Sequence, residues 1–548
     1  MKCAFPGLLL DDDEDWEGLA ASLHPKKASE FELVPGLLRT LRELGARVML
    51  EESAYIDRDF SAAYSAFYST LYQPYLKYCR RLHFFSAGAE AMFELKRPEE
   101  VQQFLRGQQD RYLGYIVVRP LTYFPVSSAL LSARHLADVR PGNDVLVRST
   151  YTEHLLGAEL KIEGVPVTEQ DKRVGACAQA AIWAANRHLH NRHSAPWYSL
   201  PDITEAALRP TDSLITQSLP AGSDYLTEDN MVRAFRAMGE HPILYTKDGE
   251  QWEEPPHRIV SRYLDSGIPV LVALSTDPKC LGHVVVAVGS VADAEKLGSL
   301  DQDRPTIADT VSHFLVNDDQ GGAYRRLPVA GASSNPDEMA FNLNDHCLFV
   351  LIPLPDKVFM KAEVAETLAR DKIERLFSRR KQHVREALGK GATTWTADAI
   401  FFAAKADPAG LIARTYLTYG WKYKQRMLEN GVGGEVKDEL SQVQLPRYVW
   451  VTEFTLPAEM TSLDPCHPRV CAHVVTDATG SRYEESVVLT HMPGMLVVQA
   501  YDTEDPRNGP DTILRAMNND PRYMPKVRGW PDYRECAVPT RVAGRPKK

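Results

Sequence analysis

The seven residues HVVVAVG at 283–289 limit most tightly what this chain can fold into. Behind the leading histidine every position is apolar or glycine, so both alternating faces of the strand need covering. Such a strand belongs in the middle of a sheet with a layer on each side. A second run, IPVLVAL at 268–274, has the same character. Both have strand length and fall far short of the ~20 apolar residues of a membrane-spanning helix. A sheet of this kind fills only part of a 548-residue chain, which divides into two to four domains.

Hydrophobic residues at 44% and charged residues at 25% are proportions of a soluble protein that buries sizeable cores. The net charge of −10 argues against a nucleic-acid partner, whose phosphates want a basic face. The local stripe Arg379-Arg380-Lys381 reads as a solvated helix face. At the start, MKCAFPGLLLDDDEDWEG places acidic residues straight after three leucines, the wrong pattern for a signal peptide. Eight cysteines scattered without framework spacing predict reduced thiols and a cytoplasmic location.

The order of elements predicts an α+β fold in three stretches. Residues 1–160 mix helix-period segments at 36–46, 60–82 and 98–109 with a strand at 112–121, forming an N-terminal α/β region. The Tyr-rich segment 63–78 reads as a partly buried helix broken near Pro74, its tyrosines serving the core. Residues 161–355 lead from a strand at 159–167 to a helix of small residues, ACAQAAIWAANRHL at 176–189. A helix at 227–239 follows, capped by Thr227 and ended by Gly239. Then come a short helix HRIVSRYLDSG and strands IPVLVALS, HVVVAVGSV and SHFLVND. Helices first and strands afterwards suit α+β rather than alternating βαβ units. Residues 356–548 form a C-terminal α+β region: helix over 357–389 and 397–430, then strands at 447–456, 471–478 and 495–501.

Four residues of the middle stretch point to thiol chemistry. Cys177 opens the small-residue helix, where free amide protons and the helix dipole favour a thiolate. By itself it reads more readily as a core cysteine. His283 stands at the mouth of the doubly covered strand. The next strong strand is SHFLVNDD at 312–319; if it pairs antiparallel, its end lies beside the start of the first. Asp318, or Asn317 or Asp319, then comes within reach of His283 and fixes its tautomer. Gln170, seven residues before Cys177, is placed to offer an amide to an oxyanion beside the backbone N–H of Cys177.

Residues 168–325 resemble the papain-like cysteine peptidases in their bacterial form, the branch that includes the double-glycine leader peptidases. The matching stretches are TEQDKRVGACAQAAIW, LTEDNMVRAFRAMGEHPILY, HRIVSRYLDSGIPVLVALS, GHVVVAVG and FLVNDDQGGAYRRLP. The resemblance implies a papain-like core, with Cys177 as nucleophile, His283 as general base and acid, Asp318 as its orienting acid and Gln170 as oxyanion donor. It also implies a bacterial source. Ala178 departs from the glycine that the leader peptidases usually carry after the cysteine. No transporter segments or P-loop accompany the domain, so cleavage coupled to export is not implied.

The expected activity is hydrolysis of a peptide or isopeptide amide through an acyl-thioester, on a protein or peptide substrate. Transfer of the acyl group, deamidation, or a catalytically idle scaffold acting as a binding or regulatory protein are the alternatives. Neither cofactor nor metal is expected, and oligomeric state is left open. Cys466, His467, Cys471 and His473 form a C-H-x3-C-x-H cluster without the paired spacing of structural zinc. Cys280 reads as a loop or strand-edge cysteine, and His188, His190 and His193 as a solvated helix end.

Overall fold

The computed structural model describes residues 6–516 apart from 24–32, 141, 171–175, 210–225, 250, 277–281, 294–295, 297–303, 332–334, 336, 390–409, 430–433, 456–469, 481–483, 493–494 and 502–509. Three antiparallel sheets with helices packed on them give an α+β molecule. The first sheet joins β1 (Gly7–Leu9), β2 (Ala46–Tyr55), β3 (Cys79–Ser86), β4 (Tyr112–Val118) and β5 (Val126–Leu131) in sequence order. The short β6 (Asn143–Asp144) crosses to the second sheet, and β7 (Ser149–Leu155) and β8 (Ala158–Gly164) form a hairpin.

The second sheet holds β9 (His241–Thr246), β10 (Val270–Leu274), β11 (His283–Ala292), β12 (Val311–Asp318), β13 (Gly322–Pro328) and β14 (Cys347–Leu354). Their spatial order is β13-β12-β11-β10-β14-β9, and β6 pairs with β11. The apolar run is therefore central: β11 lies between β10 and β12, and Val284 to Val288 are buried. The Cys177–His193 helix packs against β10, β11 and β12, its alanines letting helix and sheet approach closely. Thr227 accepts a hydrogen bond from the Asn230 N–H and caps the Glu228–Ala237 helix; Gly239, at φ +86°, follows its end.

The third sheet runs sequentially through β15 (Ile412–Tyr419), β16 (Tyr448–Thr455), β17 (Val470–Asp477), β18 (Val487–Met492), β19 (Met495–Tyr501) and β20 (Pro510–Ala516). The Ala362–Gly389 helix packs on one part of this sheet and the Gly420–Glu429 helix on another. One continuous apolar core extends from Leu10 to Ala478, with polar ties across it. Trp183 Nε1 donates to Asp59 Oδ1 at 2.8 Å, Thr168 Oγ1 to the Ser127 carbonyl at 2.6 Å, and Trp450 Nε1 to the Met360 carbonyl at 2.9 Å. No helix among the described residues is long and apolar enough to cross a membrane.

Three expectations are corrected. The helix expected over 60–82 is Arg58–Ala66 followed by a single 3-10 turn, Tyr68–Thr70. It stops eight residues before Pro74 because the chain folds back. Tyr68 is buried, with its ring 5.7 Å from Phe60 and 5.2 Å from Tyr75. Residues 412–419, expected within a helix, form β15, every residue of which is buried. A strand covered on both faces has no period of two to distinguish it from a buried helix. His188 and His193 are buried rather than solvated: His188 Nδ1 lies 2.9 Å from Ser149 Oγ and its Nε2 3.1 Å from the Gly267 carbonyl.

Candidate active site

The antiparallel pairing of β11 and β12 sets Val286 opposite Asn317, which brings the end of β12 beside the start of β11. Successive side chains on β12 leave opposite faces of the sheet. Asn317 is used structurally: its Nδ2 donates to the Val165 carbonyl at 2.9 Å and its Oδ1 accepts the Tyr324 N–H at 3.2 Å. Asp318 takes the other face, and its Oδ1 lies 2.9 Å from His283 Nε2. Asp319 follows, with Oδ1 3.8 Å from the same nitrogen.

Asp318 is fixed from three directions. Besides the imidazole, its Oδ1 accepts the Gln320 N–H at 2.9 Å and its Oδ2 accepts Arg325 Nη1 at 2.9 Å. Burial opposes its charge, but the His283 imidazole, Arg325 and the Gln320 amide hold the carboxyl well below the usual range. Asp319, equally enclosed, is pushed up to about 7, chiefly by burial and in smaller part by Asp318, against the opposing pull of the more distant His283 imidazole. For His283, burial works against the imidazolium. The Asp318 charge, its hydrogen bond and a hydrogen bond with the Cys177 side chain outweigh it and raise His283 well above its ordinary value.

Cys177 is the first residue of its helix and half-buried, with Sγ 4.0 Å from the Gly282 carbonyl. Since His283 gives Nε2 to Asp318, Nδ1 is the nitrogen that remains for the thiol. Gln320 Nε2 also lies 3.3 Å from Nδ1. Gln170 is buried at the end of the segment that runs beside β5, where Glu169 Oε2 accepts the Val126 N–H. Residues 171–175 lie outside the described residues.

The turn after β12 needs its glycines. A Cβ on Gly321 would come within 2.7 Å of Asp318 Oδ2 and 2.2 Å of Arg325 Nη1, and Gly322 has φ +120°. From the N-terminal region, the Leu33–Glu43 helix leans on the same turn, and a Cβ on Gly36 would sit 2.0 Å from the Gly321 carbonyl oxygen. Gln320 and Arg325 were not singled out by the sequence reasoning. The Asp-Asp-Gln-Gly-Gly turn was the available signal for Gln320, whereas Arg325 reaches Asp318 only once β13 has paired with β12.

The other clusters separate. Cys280, Cys466 and His467 lie outside the described residues, as do the side chains of Cys471 and of Arg379-Arg380-Lys381. His473 is buried opposite His491 across β17 and β18. A cavity of about 400 Å³ lies away from Cys177, lined by Tyr245, Trp252, Arg258, Arg262 and Glu366 among others. Its arginines are taken up in ion pairs: Arg262 with Glu254 and Glu366, Arg258 with Asp309.

No family model matches the chain, and no curated protein does. Among solved structures it is similar to the peptidase domain of Streptococcus ComA, a bi-functional ABC transporter involved in a quorum sensing pathway. That likeness has 14% identity and a TM-score of 0.21, over 35% of this chain and 97% of the other. A score this low carries no argument, so the chemistry rests on the side chains described above.

Proposed function

We propose that the chain is a cysteine-nucleophile hydrolase that cleaves a peptide or isopeptide amide bond. The observation that carries this reading is the pair His283 Nε2–Asp318 Oδ1 at 2.9 Å, standing beside the helix-opening Cys177, whose Sγ lies 4.0 Å from the carbonyl of Gly282, the residue before His283. A papain-like arrangement of residues 161–355 is part of the proposal, as are a protein or peptide substrate and a reducing compartment such as the cytoplasm.

In this mechanism Cys177 Sγ attacks the amide carbon and its proton passes to His283 Nδ1. The backbone N–H of Cys177, at the unpaired start of its helix, and the Gln170 amide receive the oxyanion. As the C–N bond breaks, His283 returns the proton to the leaving amine. Water then attacks the thioester, giving its proton to the imidazole, and the carboxylic acid leaves as the thiol re-forms. Asp318, anchored by Arg325, orients the imidazole and balances its charge throughout.

The test is alkylation of Cys177 by iodoacetamide at pH 6, followed by peptide mass spectrometry, in the natural chain and in His283→Ala. An unassisted thiol holds well under 1% thiolate at that pH. The expected result is a rate roughly 100-fold higher with His283 present, the order set by that thiolate fraction. Equal, slow rates in both proteins would sink the hydrolase reading.

A further inference from the structure

The turn after β12 holds one carboxylate more than a Cys–His–Asp arrangement uses. Asp319 is 5% exposed, and neither of its oxygens has a hydrogen-bond partner among the described residues. A buried acceptor left unmatched costs about 1–3 kcal/mol, and more if charged. The side chain is aimed at the imidazole. His283 Nε2 and one oxygen each from Asp318 and Asp319 lie within 4.8 Å of one another.

A tetrahedral zinc ion binds nitrogen and oxygen at about 2.0–2.2 Å, which sets its donors roughly 3.3–3.6 Å apart. The separations from Nε2, 2.9 Å to Asp318 and 3.8 Å to Asp319, straddle that spacing. Calcium wants six to eight oxygens and magnesium an octahedron with several waters. One imidazole and two carboxylates in an enclosed corner suit neither. We propose that His283, Asp318 and Asp319 form an inhibitory site for Zn²⁺. The regulatory part of this rests on the hydrolase reading; the metal site itself does not.

The chemistry of inhibition follows from the two ring nitrogens. Zinc on Nε2 displaces the proton there to solvent, solvent returns one proton to Nδ1, and the imidazole binds as its Nδ1–H tautomer. Nδ1 then has no lone pair to accept the Cys177 proton. Gln320, 3.3 Å away, can turn its amide to present oxygen to that N–H. Arg325 keeps Asp318 Oδ2 occupied, so Asp318 offers the ion Oδ1 alone. The guanidinium charge also opposes the cation, making the site weaker than a structural zinc centre and suited to reversible control.

The experiment is calorimetric titration of the full chain with Zn²⁺ at pH 7.5, alongside Asp319→Asn, Asp319→Ala and Cys177→Ala. Circular dichroism checks that each variant is folded. The expected result is one saturable site, at least tenfold weaker in both Asp319 variants and within twofold of the natural chain in Cys177→Ala. Zinc should also slow iodoacetamide alkylation of Cys177, with recovery on adding EDTA. Absence of saturable binding would overturn the proposal. So would binding that survives in the Asp319 variants but is lost in Cys177→Ala, since the ion would then sit on the thiol. Should Cys177 prove inert in the metal-free chain, the hydrolase reading fails while the titration still decides the metal site.

Discussion

Glu366 and Asp319 are equally buried, each 5% exposed, yet the fold treats them in opposite ways. Glu366, on the Ala362–Gly389 helix, accepts Arg262 Nε at 2.8 Å and Thr415 Oγ1 at 3.2 Å on one oxygen and Arg370 Nε at 3.3 Å on the other. Asp319 has no hydrogen-bond partner among the described residues. Burial pushes both carboxyls up; for Glu366 the two guanidinium groups more than offset it and bring the carboxyl down to about 2, while Asp319 goes up to about 7. Burial alone therefore does not say what an acid is for. A fully paired carboxylate joins two parts of the chain, whereas one without a hydrogen-bond partner among the described residues, beside an imidazole, is where the proposed ion would bind.

The comparison breaks most readily on stability. Glu366→Gln leaves Arg370 buried with a neutral partner and Arg262 with Glu254 alone, and removing one partner of a buried pair costs about 3–5 kcal/mol. A marked fall in the thermal midpoint is expected at pH 7. The sign with pH follows from the lowered carboxyl: its contribution is complete above the ordinary 4.5 and is lost as pH falls toward about 2. The gap between variant and natural chain should thus narrow between pH 5 and pH 3. A gap that stays constant would mean that Glu366 acts through packing rather than charge.

Asp318→Asn should show the reverse balance. It loses a charge-assisted bond worth about 1.5–3 kcal/mol at the imidazole, so Cys177 alkylation at pH 6 slows by roughly 10–100-fold. An unchanged rate would remove Asp318 from the site and shift the role to Asp319.

Asp319→Asn tests the unmatched member directly. A carboxyl raised in the folded chain makes stability fall as pH rises from near 3.8 to about 7. The variant lacks that slope. Its thermal midpoint should gain on the natural chain across this window, by the equivalent of about 4 kcal/mol. A loss instead would mean that Asp319 is paired in solution.

How much of this was legible beforehand depends on where each constraint resides. His283 and its acid could be placed because β11 is apolar on both faces and the next strand follows directly, so antiparallel pairing fixed the ends. β14 could not be inserted between β10 and β9, since CLFVLIPL carries no mark of which neighbours it takes. The same lack of periodicity hid β15 inside an expected helix. The three acceptors Asn317, Asp318 and Asp319 could not be told apart from sequence. Their separation depends on which face of β12 each side chain takes and on Tyr324 and Arg325 arriving from β13.

Arg325 supplies the smallest and most discriminating effect. It holds Asp318 Oδ2 through Nη1 and the Glu338 carbonyl through Nη2, both at or below 2.9 Å. Its bond to the Asp318 carboxylate gives it a positioning role in the proposed mechanism. Arg325→Gln should slow alkylation of Cys177 about threefold to tenfold, equivalent to roughly 1 kcal/mol. Arg325→Lys should recover part of the loss by restoring charge without the planar fork. A merely structural arginine would lower the thermal midpoint and leave the alkylation rate of the folded fraction unchanged. If the rate falls in the Gln variant and rises again in the Lys variant, the Asp318 carboxylate owes its orientation to Arg325, and of the two acids at this turn Asp319 is the one without a hydrogen-bond partner among the described residues.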